Sequence, residues 1–315
     1  GKFRSRSEFL RVQESFMASC LQRGYEAQFA SSIWKQIESF AGYAFSKGHS
    51  ASYAVESYQS LYLKAHYPLA YLTACINNFG GYYRTEIYVH EARRFGAQIE
   101  APCINEGAYS CVLKEKRLIL GFNLVAGLEI QISDKISAER NTNGHFIDFE
   151  DLLKRVAIPL EQLCILIRVD ALRCFKQPRK ALLWQAHFYH HKQRYTNAKQ
   201  ELFEVKQKKQ HLPELEEHPL EITFEQFELL GFPLCDPFSL LAQPLPSSFI
   251  SADDFPKYTH QYIHTFGYLV SIKQTKTNKG DTMCFGTFLD PSGAFIDTVH
   301  FPQITAHYPF YGKGV

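Results

Sequence analysis

The residue types most suited to chemistry lie together at positions 43–53, where a lysine, a glycine, a histidine and several hydroxyls directly precede a helix. The first turn of a helix has unpaired amide groups and a partial positive charge, so it can hold an anion. Lys47 would add a point charge, and His49 and Ser50 would add hydrogen bonds, which suits a phosphate group. A plainer interpretation stays open: Ser50 or Ser52 caps the helix and Lys47 points into water.

A second group of residues has the charge needed to contact phosphates. Ten Lys and Arg residues lie between Arg173 and Lys209, against only Glu201 and Glu204, and an acidic stretch follows up to Glu228. The whole chain carries a formal net charge of only +2. A nucleic-acid partner can therefore be argued only from where the charges lie, and a solvated basic face remains the alternative.

The elements that must position these residues are mostly helical. Apolar spacing predicts a helix after residue 9 that stops near Gly24, and a short hairpin formed by 108–112 and 117–122. From residue 262 the period becomes that of strands. The further predicted helices are 27–39, a long helix to 66, 86–95, 130–140, 149–155, 160–170 and 179–187, and the predicted strands are 262–272, 283–290 and 294–301.

Length and composition set the class of protein. With 315 residues, 45% of them hydrophobic, the chain is expected to fold into two or three domains. No apolar run is long enough to cross a membrane. The eight cysteines form no CxxC pair, which favours reduced thiols in the cytoplasm over a zinc site or disulfides. A start at Gly1 without methionine and an end at Val315 suggest a piece of a longer polypeptide.

Beyond these general features, one long stretch identifies a family. Residues 40–68, which read FAGYAFSKGHSASYA, then SYQ, and then YLKAHYP, resemble the fingers domain of the bacterial DNA polymerase III alpha subunit, a C-family replicative DNA polymerase. The resemblance continues at 101–105, 158–172, 229–234 and 286–290, so it covers nearly the whole chain. It departs at Gly48, where the family usually has serine.

The resemblance implies roles for the residues identified above. In that family the fingers close over the incoming deoxynucleoside triphosphate, which makes Lys47, His49, Ser50 and Tyr53 candidate nucleotide contacts. The family binds its catalytic Mg2+ ions through an Asp-x-Asp motif in the palm domain. This sequence contains no Asp-x-Asp, so we expect it to bind no metal and to be inactive by itself.

The family's next module is a tandem helix-hairpin-helix, whose glycine-rich hairpins hold duplex phosphates. The first hairpin here contains Gly127, but Glu129 replaces the usual second glycine, and in the second hairpin Asp170 stands where glycine is common. These changes put the hairpins' hold on DNA in doubt. We therefore expect nearby basic residues to make more of the duplex contacts. They are Arg168, Arg173, Lys176, Arg179 and Lys180.

The resemblance also implies two further binding regions. The family carries its sliding-clamp peptide in the polar region, where Gln200, Leu202 and Phe203 fit the pattern with the glutamine displaced by one position. The terminal strands resemble an oligonucleotide-binding (OB-fold) barrel that binds single-stranded template. Suitable residue types are Phe266, Tyr268, Lys273, Lys276, Lys279 and Phe285, of which we select the turn lysines Lys276 and Lys279, because aromatics at strand period are more often core.

The expected architecture is a multidomain, mainly α fold followed by a truncated β barrel of the OB type. Its expected parts are fingers (1–107), a β-hairpin with degenerate tandem helix-hairpin-helix units (108–187), a linker with the clamp peptide (188–255) and the OB-fold (256–315). The expected function is that of a cytoplasmic replicative DNA polymerase part, contacting primer-template DNA, nucleotide, sliding clamp and other replisome subunits but no membrane. The alternative is a non-catalytic homologue that bridges DNA and a clamp.

Overall fold

The computed structural model describes residues 6–42, 47–81, 83–196, 218, 220–246 and 249–310. The chain forms two compact units, residues 1–66 and 67–315. The first unit contains α1 (Arg6–Gln22), α2 (Ala27–Gly42) and α3 (Lys47–His66). The helices of the second unit are α4 (Pro68–Asn77), α5 (Thr85–Arg94), α6 (Ile130–Asn143), α7 (Phe149–Arg155), α8 (Leu160–Arg168), α9 (Arg179–Thr196), α10 (Glu221–Leu230) and α11 (Pro302–His307). Its strands are β1 (Gln98–Glu100), β2 (Val112–Lys114), β3 (Arg117–Ile119), β4 (Tyr268–Lys276), β5 (Thr282–Leu289) and β6 (Phe295–His300).

The first unit is held together by aromatic packing between α1 and α2. The Trp34 ring is 3% exposed and lies 5.4 Å from the ring centroids of both Phe9 and Phe16. The long helix α3, in contrast, exposes large apolar side chains such as Tyr58 and Leu61. The sequence predicts both α2 and α3, and the predicted end of α3 at His66 is confirmed, because Pro68 begins the next helix.

The core of the second unit lies among α4 to α9. Leu72 and Ile76 of α4 and Leu163 and Leu166 of α8 are almost fully buried in one apolar cluster. The predicted hairpin is confirmed, but its first strand lies at Val112–Lys114 instead of 108–112, and β2 pairs antiparallel with β3. The sequence did not predict β1, a three-residue strand that pairs parallel with β3 on its other edge.

The last three strands form an open antiparallel sheet in the order β4-β5-β6, as expected from their alternation. Within residues 249–310 these strands do not close into a barrel. One face packs on α5 and on a short 3-10 helix, with Ile87, Phe238, Tyr268, Val270 and Leu289 buried together. The sheet is therefore packed against other elements of the second unit.

The expected domain boundaries stay predictions, and two features of the structure concern them. The first compact unit ends at residue 66, and α4 and α5 pack into the second unit's core. The expected linker also contains α10, whose Leu229 and Leu230, with the following Phe232, are buried in that core. This helix reads as polar in sequence because its other face is acidic.

Candidate functional site

The predicted nucleotide contacts lie on the first turns of α3. His49 is exposed, and its ring meets the Tyr53 ring edge-on at 4.3 Å between centroids. Ser50 is half-buried, and the Ser52 hydroxyl donates to the Gly48 carbonyl at 3.0 Å. Ser52 therefore lies inside the helix and does not cap it. The first turn contains no acidic side chain, so nothing there opposes an anion.

Part of this candidate site falls outside the structural description. The backbone of Lys47 begins α3, but its side chain and residues 43–46 are not described. Tyr53 is 55% exposed, so the face that it shares with His49 is open to a ligand within the first unit. The four candidates remain predictions, and the structure brings two of them into direct ring contact.

The first hairpin connects a 3-10 turn to α6 and is anchored to α8 by one glutamine. Gly127 has φ +76°, a left-handed conformation that glycine adopts without strain. The Gln162 side chain accepts from the Glu129 amide at 2.8 Å and donates to the Gly127 carbonyl at 3.0 Å. The Ala126 amide donates to the Leu229 carbonyl of α10 at 2.8 Å. Four amides of this hairpin, those of Val125, Ala126, Leu128 and Glu129, thus donate to groups within the protein, while the exposed Gly127 lies at its tip.

The second hairpin follows α8 and keeps the geometry that a glycine would give. Asp170 has φ +68°, and the Ala171 amide reaches back to the Leu166 carbonyl at 2.9 Å, closing the helix end. Aspartate tolerates the left-handed region better than most residues. The aspartate therefore changes the charge of this turn but not its path.

Two of the expected DNA-contacting arginines face α10. Arg179 is 7% exposed and forms an ion pair with Glu225. Arg168 bonds the same carboxylate at 3.1 Å and also reaches Glu228. Burial acts to lower the pKa of Arg168, but the two carboxylates raise it overall. These arginines hold α10 against the second hairpin, so their charges are already compensated.

Two further basic candidates are also paired. The Lys180 ammonium lies 2.9 Å from a Glu221 oxygen and holds the pKa of that carboxyl below its ordinary value. Arg173 donates to the Pro102 carbonyl at 2.7 Å and to Glu100 at 3.2 Å. Their positions suit a structural role in joining segments distant in sequence.

Lys176 differs from these four residues. It is exposed, has φ +53° and ends the 3-10 turn of the second hairpin. No ion pair to its ammonium is found in the part of the chain that the structure describes. Among the five basic candidates of this hairpin, Lys176 is thus the one presented to solvent.

Some candidate residues of the C-terminal sheet are accessible and others are buried. Lys276 and Lys279 are exposed at the end of β4 and in the β4–β5 turn. Phe285 is 41% exposed and pairs in register with Val299, which is 50% exposed. Tyr268 is buried instead, and its hydroxyl donates to Glu86 at 2.9 Å, so it cannot stack on a base.

Other expectations meet the limits of the described chain. The clamp-peptide residues Gln200, Leu202 and Phe203 lie in residues 197–217, outside the description. Among the residues that are described, no group of three or more His, Cys, Asp and Glu side chains could hold a metal ion. No described helix combines the length and apolar character needed to span a membrane.

Sequence reasoning noted the acidic stretch up to Glu228 but missed that its last residues form the helix α10. Glu221, Glu225 and Glu228 recur at the i, i+4, i+7 spacing of one helix face, opposite Leu230. This spacing could have revealed both the helix and its acidic surface. The partners could not have been read from it, because they lie 41 to 60 residues away along the chain.

Comparison with known proteins places the hairpin region in a recognised group. A helix-hairpin-helix motif family matches residues 96–182. The chain is 32% identical over 180 residues to error-prone DNA polymerase 3 of Agrobacterium fabrum, covering 55% of this chain and 16% of that protein. It is 30% identical over 183 residues to the error-prone DNA polymerase of Rhodopirellula baltica, covering 56% and 16%. It is 30% identical over 150 residues to the DNA polymerase III subunit alpha of Borreliella burgdorferi, covering 47% and 13%. The matched part of the chain thus spans about one sixth of these relatives or less.

Proposed function

We propose, from the premise that this chain is a relative of the bacterial C-family DNA polymerases, that it positions duplex DNA and nucleotide for template-directed DNA synthesis. The observation that carries the proposal is the pair of hairpin turns within the matched residues 96–182. Gly127 and Asp170 both have left-handed backbones, at φ +76° and +68°. Such turns let the backbone approach a phosphate closely.

The charged residues divide into two roles under this proposal. Lys176, exposed on the second hairpin, contacts a duplex phosphate directly. Arg168, Arg179 and Lys180 act indirectly, because their ion pairs with α10 hold the hairpin in place. Arg173 does the same through the Pro102 carbonyl.

The accessible residues of the C-terminal sheet suit single-stranded template. Phe285 offers an exposed ring for base stacking, and Lys276 and Lys279 offer charges for the backbone. We propose this contact for the three residues together. Tyr268 is left out because its hydroxyl and ring are buried.

The start of α3 is proposed to contact the incoming nucleotide. Its amide groups favour the triphosphate, and His49 and Tyr53 present adjacent rings beside it. Lys47 and Ser50 complete the proposed set. The Mg2+ ions of the reaction would be bound by a palm region outside this chain, and the segment with Leu202 and Phe203 would bind a sliding clamp.

The hairpin assignment is tested by measuring duplex affinity of the full chain with Lys176→Ala. Loss of one phosphate contact should lower the slope of log affinity against log salt by about 0.9. Lys154→Ala is the matched control, because Lys154 is an exposed lysine of α7, outside both hairpin segments, and is paired with Glu150. Equal slopes for both variants and the unchanged chain would remove Lys176 from the interface.

The nucleotide assignment needs a protein that also contains a palm. Joined to such a region, His49→Ala and Tyr53→Ala should raise the nucleotide KM in primer extension while leaving duplex affinity unchanged. Tyr58→Ala, an exposed aromatic on the same helix, is the control. Near-normal nucleotide KM and kcat in both α3 variants would contradict the assignment.

A further inference from the structure

Helix α9 presents an exposed aromatic pair soon after the second hairpin. The rings of Trp184 and Phe188, one helical turn apart, stack with their centroids 5.5 Å apart and an angle of 26° between their planes. Each of the two residues is 43% exposed, whereas Leu182 and Ala186 of the same helix are buried. Large parts of two aromatic rings are thus open to a partner.

The helix that carries this pair is basic along its whole length. Its residues 179–196 include four Lys or Arg and three His but no Asp or Glu. Lys180, before the pair, is already paired with Glu221 of α10, and the basic residues that follow the pair are Lys192 and Arg194. The helix therefore suits a partner that combines negative charge with flat rings, which is the chemistry of a nucleic-acid strand.

The distance from Lys176 limits which part of a DNA molecule the rings can reach. Helix α9 begins at Arg179, three residues after Lys176. At about 1.5 Å per residue, Trp184 and Phe188 lie about 8 and 14 Å from that start along the helix axis. The faces of paired bases are covered by their neighbours in the duplex, whereas an unpaired base exposes a face on which an aromatic side chain can stack. A strand whose phosphate contacts Lys176 is therefore close enough to place an unpaired base on the two rings.

We propose that Trp184 and Phe188 form a stacking site for an unpaired base of a DNA strand that leaves the duplex beside the second hairpin. This inference rests on the proposed contact between Lys176 and a duplex phosphate. Every base has an aromatic face, so the contact does not depend on the base sequence. It adds a single-strand contact on α9 to the one proposed for the C-terminal sheet.

Trp184 is itself the probe for the first test, because the chain has only two tryptophans and the other, Trp34, is buried. In the full chain carrying Trp34→Phe, all indole fluorescence comes from Trp184. A short oligothymidylate, or a duplex with a single-stranded overhang, should quench this fluorescence, and a blunt duplex should not. If Trp34→Phe impairs folding, the unchanged chain allows the same comparison, because only Trp184 is exposed.

The second test measures affinity by fluorescence anisotropy of labelled DNA. Phe188→Ala should weaken binding of the overhang duplex by about 5- to 150-fold, which corresponds to about 1–3 kcal/mol per stacked base. It should leave affinity for the blunt duplex unchanged, because no paired base reaches the rings. Phe224→Ala is the matched control, since it removes an exposed phenylalanine of α10 and should change neither affinity.

The results separate this inference from the proposed function. Trp184 fluorescence that stays unchanged with all three DNAs overturns the stacking site and leaves the aromatic pair to a protein partner. Equal losses of blunt-duplex and overhang-duplex affinity in Phe188→Ala also overturn it. Quenching by the single strand without any binding of the blunt duplex supports the stacking site and refutes the duplex contact at Lys176. Phe285→Ala should leave the quenching at saturating single strand unchanged, because Phe285 belongs to the contact proposed for the sheet.

Discussion

Under the proposed function, the carboxylates of α10 compete with duplex phosphates for the cations of the second hairpin, so removing the exposed carboxylates should strengthen duplex binding. Glu221 and Glu228 suit the change to glutamine because they are exposed, with side chains 41% and 67% accessible. Their partners are Lys180 and Arg168. Glu225 is kept, because it pairs with the buried Arg179 and its loss would threaten folding.

The expected change in the salt dependence of duplex affinity follows from the number of added phosphate contacts. Arg168 keeps its bond to Glu225, so we count one added phosphate contact, from Lys180, which steepens the slope of log affinity against log salt by about 0.9. Between 50 and 200 mM salt, this is an extra loss in affinity of about 3.5-fold relative to the unchanged chain. Each exposed ion pair contributes about 0–1 kcal/mol to folding, so the double variant should remain folded.

The assay is fluorescence anisotropy of a labelled duplex titrated with the full chain across that salt range. Glu150→Gln is the matched control, because Glu150 also pairs with a lysine, Lys154, but belongs to α7, outside both hairpin segments. It removes one negative charge without uncovering a hairpin cation. Two outcomes would show that α10 does not shield a DNA-binding surface. One is an unchanged slope in Glu221→Gln/Glu228→Gln, and the other is a control that steepens the slope as much per removed charge as the double variant does.

Three further predictions concern stability and hairpin structure. Tyr268→Phe removes the hydroxyl that donates to the buried Glu86, and it should lower the free energy of unfolding by about 1–3 kcal/mol in urea; an unchanged midpoint would refute the role of this bond. Burial acts to raise the pKa of Asp290, but hydroxyl and amide donors bring that pKa below its ordinary value of 3.8. The ionised Asp290 carboxylate therefore stabilises the fold above that pH, and this stabilisation is lost as pH falls through the lower pKa of the folded state. Asp290→Asn should therefore lower stability at neutral pH and flatten the acid limb below about pH 4, and an identical limb in both proteins would contradict this. Gln162→Ala removes both hydrogen bonds from this side chain to the first hairpin, so it should speed amide hydrogen exchange at Glu129, with no change at Ala171 of the second hairpin. Equal protection of the Glu129 amide in both proteins would show that Gln162 does not anchor the first hairpin.

Much of the local structure was readable because it depends on local chemistry. The end of α3 before Pro68 follows from what proline does to the residue that precedes it and to the helix that it begins. The alternation that marks β4 to β6 follows from the period of a strand. The left-handed turn at Asp170 also keeps the path expected of the hairpin, despite the missing glycine.

Other features depended on partners that no local pattern names. The three-residue β1 is a strand only because β3 lies beside it, and α10 looks polar until its apolar face meets the core. In each case the decisive neighbour lies far away along the chain.

The sequence by itself therefore determined most of the elements, the resemblance to a polymerase family and the set of basic residues that could contact DNA. Only the tertiary structure decided which of those cations are available, because Arg168 and Arg179 are paired with Glu225, 57 and 46 residues away in sequence, while Lys176 is exposed. The physical reason is that charge compensation depends on distance in space, which the order of residues does not specify.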